Sequence, residues 1–421
     1  MNRTIAPTYS KAQSLNIEFP HKIELSNGID LYMLDDIQND TVKLDIVWDA
    51  GSKYQPKSLV ASFTNALLLA GTNGLSAQQI SQQIDYYGGY VSHDIDKDQA
   101  GITLYGLNDK IESIFNVFEQ AFLNASFPQT EVEKLIDIRK SNYNVSQEKV
   151  NTLCRKAFNQ HIFGEQTPYG KVAELEDFDK VTIQDLKAFY QSIYLNTKPV
   201  LFLVGNVSNE FIEHLKMFTD KLGNHRAEIE PQNFKQTVGR IVVKKDKAIQ
   251  SAVRIGKMLF TKKHPDYYKF QVLNTILGGY FGSRLMANIR EDKGYTYGIG
   301  SGLSVLEDGG YFYVSTEVAK DVTEPTIAEI YNEIKKLQTE PVSEDELEKV
   351  KNYLLGDFLR HSDGAIAIME NYKNIYFNNL SEDYYSDFIK AVNDVTPQQL
   401  KDIANKHLKI NTMLEVIAGD V

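Results

Sequence analysis

Eight histidines, one cysteine and their neighbouring carboxylates are the residues with which this chain could do metal or nucleophilic chemistry. The histidines are His21, His93, His161, His214, His225, His264, His361 and His407. The closest two stand 11 residues apart, so no helix carries a local pair able to grip zinc from one face. His93 with Asp94 and Asp96 is the one compact imidazole–carboxylate group. It reads as a solvated turn, with an independent metal-dependent hydrolase as the sharper alternative. His161 and Glu165 are interrupted by Gly164 and read as a surface pair. No G-x-S-x-G elbow occurs, and Cys154 lies in an ordinary helical context without an adjacent base, so nucleophilic catalysis has no candidate. A different pattern runs from Leu277 through Gly278, Gly279, Tyr280, Phe281 and Gly282 to Leu285, then from Ile289 to Tyr297. No Gly-Lys-Ser/Thr follows these glycines, which excludes a phosphate loop. The local reading is a helix from Arg284 to Asp292, a Gly294 cap and a strand from Tyr295. Arg290 then falls on the last helical turn and Tyr297 early in the strand, which lets the two side chains converge.

The elements that must position these residues come from a chain of 421 residues, long enough for two or three domains. Its 42% hydrophobic and 24% charged content is that of a globular protein. A net charge of −11 argues against a nucleic-acid partner. With a single cysteine, neither an internal disulfide nor a cysteine zinc site can form. The first twenty residues hold no apolar h-region and no run of eighteen apolar residues occurs, so neither a signal peptide nor a membrane span is expected. The expectation is a cytoplasmic protein without a membrane partner, or a periplasmic one if a signal peptide has been removed.

The chain repeats itself. Thr182 to Val207 pairs with Thr396 to Val421 at a constant separation of 214 positions over 26 residues. Glu131 to Leu135 pairs with Glu346 to Val350 at a separation of 215. The longer match reads in both copies as an amphipathic helix followed by an apolar strand ending in Gly-x-Val. Ile29–Met33 and Val42–Trp48 alternate as strands do, whereas Leu107–Phe122, Phe211–Leu222 and Ser343–Phe358 carry a helical period. The expected fold is α+β: two homologous halves, each a mainly antiparallel sheet covered by helices. The reading places an N-terminal half at 1–223, a polar linker at 224–237 and a C-terminal half carrying Arg290 and Tyr297 at 238–421.

Leu59 to Thr72 reads as an apolar helix closing on Gly71-Thr72. With the duplicated halves and the Arg290/Tyr297 spacing, this segment resembles the pitrilysin/insulinase family of zinc metallopeptidases. The likeness is strongest to the short bacterial members, and it extends over essentially the whole chain. In that family the inverted motif H-x-x-E-H precedes such a Gly-Thr. Here the motif positions are Ser62, Asn65 and Ala66, and no imidazole or carboxylate stands at any of them. The resemblance places the distal glutamate ligand near Ser141 to Ser146, a stretch without a carboxylate, and Glu148 is the nearest acid. It also implies that Arg290 and Tyr297 hold the substrate backbone, where guanidinium and phenol donate to a carbonyl or a developing oxyanion. The expected protein is therefore a non-catalytic subunit that binds no metal itself. It would supply Arg290 and Tyr297 in trans to a homologous, zinc-bearing partner in a heterodimer, or pair with itself, and take unfolded peptides as substrate. The alternative is a structural or peptide-binding scaffold of the same fold with no part in proteolysis.

Overall fold

A computed structural model describes residues 18–36, 38–230 and 232–420. The chain forms two compact units, residues 19–237 with 306–308, and residues 238–305 with 309–420. The first contains strands β1 (His21–Glu24), β2 (Asp30–Leu34), β3 (Thr41–Trp48), β4 (Tyr90–Ile95), β5 (Ala100–Leu107) and β6 (Val200–Val204). They form one sheet in the order β1-β2-β6-β3-β5-β4, antiparallel except for β2 beside β6. Its helices are α1 (Val60–Leu67), α2 (Ala77–Tyr86), α3 (Ile111–Leu123), α4 (Gln129–Gln147), α5 (Val150–Phe163), α6 (Ile183–Phe189) and α7 (Asn209–Thr219). The period of two along β3 sends Val42, Leu44, Ile46 and Trp48 into the core. Trp48 stacks on Phe122 of α3 at 5.4 Å, and Phe115 meets Phe211 and Phe218 of α7. The opposite face of β3 carries Lys43 and Asp45, which pair at 3.0 Å.

The second unit repeats this plan. Strands β7 (Gly239–Lys244), β8 (Gln250–Leu259), β9 (Ile299–Leu306), β10 (Gly309–Ala319) and β11 (Leu414–Gly419) lie in the order β7-β11-β8-β10-β9. Here β7 and β11 are the parallel pair, as β2 and β6 are in the first sheet. The helices are α8 (Tyr267–Asn274), α9 (Thr323–Thr339), α10 (Glu344–Arg360), α11 (Ala365–Phe377), α12 (Tyr384–Asp394) and α13 (Pro397–His407). Both sequence matches fall on equivalent elements: α6 and β6 on α13 and β11, and α4 on α10. The threonines that open the two copies of the longer match have a local purpose. Thr182 accepts from the Asp185 N–H at 3.2 Å and Thr396 from the Gln399 N–H at 3.3 Å, and each is half of a capping box. The expected α+β fold of two homologous, helix-covered sheets is the one observed.

Local boundaries differ from the sequence reading in three places. The first is α1, which stops at Leu67 instead of running on to Gly71-Thr72, and Gly71 forms an isolated bridge with Ser76. Leu107 ends β5, and α3 begins only at Ile111, because the Asn108–Lys110 turn separates them. Tyr295 does not open a strand, since β9 begins at Ile299. The cause is Thr296. Its hydroxyl donates to the Glu317 carbonyl at 2.7 Å and accepts from the Gly298 N–H at 3.1 Å, so a side chain replaces the ladder there. Among the described residues no helix is long and apolar enough to cross a membrane.

Candidate functional site

Arg290 sits in a widened, π-type helical segment, Met286–Asp292. Buried Ile289 anchors this segment in the core of the second unit. The segment ends where Gly294 adopts φ +65°, and Tyr295 N–H reaches back six residues to the Ile289 carbonyl at 3.0 Å. Upstream, Gly278 lies so close to β9 that a Cβ would stand 2.7 Å from Ser301 N. That tight passage brings Phe281 out to the surface beside Arg290. The guanidinium carbon lies 4.7 Å from the Phe281 ring centre and 5.6 Å from that of Tyr297. Tyr297 is 94% exposed and Phe281 66% exposed. The structure thus brings together the two residues singled out in the sequence, and adds Phe281.

Neither side chain has an ordinary packing role. Arg290 does not cap its helix, and Tyr297 is not in the core. Among the described residues no carboxylate or hydrogen-bond acceptor engages the Arg290 guanidinium, and none engages the Tyr297 hydroxyl. An arginine held by aromatic faces, with its N–H edges open, can donate in its own plane to a carbonyl or carboxylate. The phenol supplies a further donor from the neighbouring turn.

The positions aligned with the metal motif lie on α1, and each has a different fate. Ser62 donates to the Leu59 carbonyl at 3.0 Å, and its Oγ accepts from Arg139 Nη1 of α4 at 2.9 Å. Arg139 Nη2 also reaches the Ser62 carbonyl at 3.3 Å, and the guanidinium lies over Phe63 at 4.6 Å. Asn65 is 1% exposed, and its amide donates to the Tyr194 hydroxyl at 3.1 Å and to the Gly101 carbonyl at 3.3 Å. Ala66 offers a methyl group. On α4 the Lys140–Gln147 stretch presents Tyr143, which donates to Glu174 at 2.9 Å, and Glu174 is in turn held by Lys156 at 2.6 Å. Glu148 stands at the C-terminal cap of α4. Zinc needs imidazole, thiolate or carboxylate donors, whereas this set offers a hydroxyl, an amide, a methyl and a guanidinium. It does not fit the ion. Among the described residues no three His, Cys, Asp or Glu side chains converge as a metal site would require.

The His93 group differs from the sequence reading. His93 and Asp94 belong to β4, so they point to opposite faces, and Asp96 lies in the turn beyond. The carboxylate of Asp96 caps that turn, accepting from the Asp98 and Gln99 N–H groups at 2.7 Å. The His93 ring lies against α1 with its Nδ1 buried and without a hydrogen bond. Burial pushes its imidazole below the ordinary value, while the Asn65 carbonyl acts in the opposite sense. His161 is not paired with Glu165. It faces Thr237, whose N–H donates to the His161 carbonyl at 2.8 Å. Cys154 is buried within α5, as its context suggested. Sequence reading missed Arg139, which is separated from Ser62 by 77 positions and lies on another helix, with no local pattern to mark it.

Residues 32–171 match insulinase (peptidase family M16), and residues 180–354 match the peptidase M16 inactive domain. An uncharacterized zinc protease of Rickettsia felis is 24% identical over 343 residues, 80% of this chain and 82% of that protein. The non-peptidase homolog YmxG of Helicobacter pylori is 22% identical over 361 residues, 84% of this chain and 83% of that protein. The crystal structure of a peptidase M16 inactive domain from Pseudomonas fluorescens superposes with a TM-score of 0.86. It is 24% identical, and the match covers 97% of this chain and 99% of that one.

Proposed function

The chain belongs to the M16 peptidase family, and we propose that within it this protein is a non-catalytic, substrate-binding subunit. Arg290 and Tyr297 donate to the backbone of an unfolded peptide. A homologous partner carrying H-x-x-E-H supplies zinc and the general base, in a heterodimer. The observation that carries this reading is the Arg290 guanidinium, held between the exposed rings of Phe281 and Tyr297 and left without an acceptor. A half-buried charge kept unpaired is costly unless a ligand completes it. Two further facts support the reading. The α1 positions hold groups unsuited to zinc, and one similar protein bears the name of a non-peptidase homolog.

The test is reconstitution. The chain is mixed with a homologous M16 peptidase that has an intact motif, and hydrolysis of an unfolded peptide is followed with and without a zinc chelator. Zinc-dependent turnover that neither protein shows alone supports the reading. Equal turnover by the partner alone would refute it and leave a scaffold. The same assay with Arg290→Ala decides whether the arginine takes part.

A further inference from the structure

Arg139 is a second guanidinium that the protein does not neutralise. It projects from α4 onto α1, where Nη1 and Nη2 bond only to Ser62 and the plane rests on the ring of buried Phe63. Its Nε–H has no acceptor among the described residues. The carboxylates that reach other residues of α4 are paired elsewhere. Asp179 is held by Lys140, the residue next to Arg139, at 2.6 Å, and Glu174 by Lys156 and Tyr143. Burial lowers the Arg139 pKa with no acidic neighbour to offset it. The two bonds to Ser62 are neutral acceptors, which compensate a partly desolvated cation less than an anion does.

We propose that Arg139 is an anion-binding site for the carboxylate of a peptide, at the place on α1 and α4 where the donor set does not fit a metal. A carboxylate is planar and takes two parallel N–H bonds from a guanidinium, and Arg139 retains Nε–H and one further N–H edge for it. Ser62 and Phe63 fix the guanidinium plane in advance, which reduces the ordering cost of binding. The identity of the ligand rests on the peptide-binding reading above, but the site belongs to this chain alone and needs no partner.

The test is a titration of the full-length, ¹⁵N-labelled chain, following the Nε–Hε resonance of Arg139, assigned by its loss in Arg139→Lys. Three N-acetylated tripeptides are compared: a free acid, its C-terminal amide, and an amide with an internal glutamate. The free acid is expected to move the resonance saturably and to bind roughly tenfold or more tightly than the plain amide. Binding by the glutamate-containing amide identifies an acidic side chain as the source of the carboxylate. Equal binding of all three, or an unmoved resonance, overturns the proposal. The titration itself uses the native chain; Arg139→Lys, which keeps the charge, serves only for assignment, and its fold is checked by the rest of its ¹⁵N spectrum. Failure of reconstituted hydrolysis would sink the subunit reading and leave this result standing.

Discussion

Around Ser62 and Asn65 the side chains brace α1 against α4 and β5 and leave one edge of Arg139 over, whereas the side-chain donors of Arg290 and Tyr297 have no acceptor among the described residues. The first region is cross-braced. The amide of Asn65 joins α1 to Tyr194 and to β5, and Arg139 joins α1 to α4. The second region is held only by aromatic faces, and the Tyr297 ring is almost wholly exposed. Packing a core rewards the first arrangement, because buried donors and acceptors must find partners. Nothing about stability rewards the second, because an unpaired guanidinium and an exposed ring gain little from the fold. The contrast is between one leftover edge of a guanidinium that is otherwise braced, at Arg139, and a guanidinium and phenol that are both wholly open, at Arg290 and Tyr297.

The largest expected effect comes from forcing the first region back toward a metal site. The triple variant Ser62→His, Asn65→Glu, Ala66→His should lose about 3 kcal/mol or more of stability and bind no stoichiometric zinc. Its glutamate would be buried where Asn65 is 1% exposed, and Arg139 would lose its Ser62 acceptor. Urea unfolding and metal analysis check both outcomes. A stable variant holding one zinc per chain would erase the contrast.

Next in size is Arg290→Ala in the reconstituted pair. A charge-assisted bond is worth about 1.5–3 kcal/mol, so turnover should fall by roughly tenfold to a hundredfold while the melting temperature stays put. Tyr297→Phe keeps the ring over Arg290 and removes only the donor. Its cost should be about 0.5–1.5 kcal/mol in the same assay. If Arg290→Ala changed stability instead of turnover, the open donors would be structural after all.

Much of this was legible in the sequence because it is local or repeated. The 214-residue spacing marks α6–β6 against α13–β11 since each copy needs the same capped helix feeding the same strand. The alternation of β3 is written in Val42, Leu44, Ile46 and Trp48. The convergence of Arg290 and Tyr297 follows from a helix end at Gly294. Its details did not, because Thr296 bends the chain through its side chain and a π-type segment has no distinct periodicity. His93 was misread for another reason: alternation in an edge strand of mixed polarity does not say which face is buried. Arg139 and Phe281 acquire meaning only through partners on other elements. An aromatic residue inside a glycine-rich stretch was the one available hint of the latter.

The smallest effect concerns the rim of the braced region and depends on pH. In the folded chain, burial lowers the His93 pKa below the ordinary 6.5 of an imidazole. The unfolded chain therefore binds this proton first as pH falls. The contribution of His93 to stability is fully present above that ordinary value and is lost as pH drops below it toward the folded value. The urea midpoint should decline between pH 7.5 and 5.5, and His93→Gln should flatten part of that decline. Burial lowers the pKa of His407 too, despite the opposing bond to Asp266, so some acid sensitivity should persist and be removed by a second change there. An unaltered slope in His93→Gln would mean that the ring charges freely beside α1. In that case the packing around Ser62 and Asn65 would be looser than their hydrogen bonds imply, and the difference between the two regions would be one of degree.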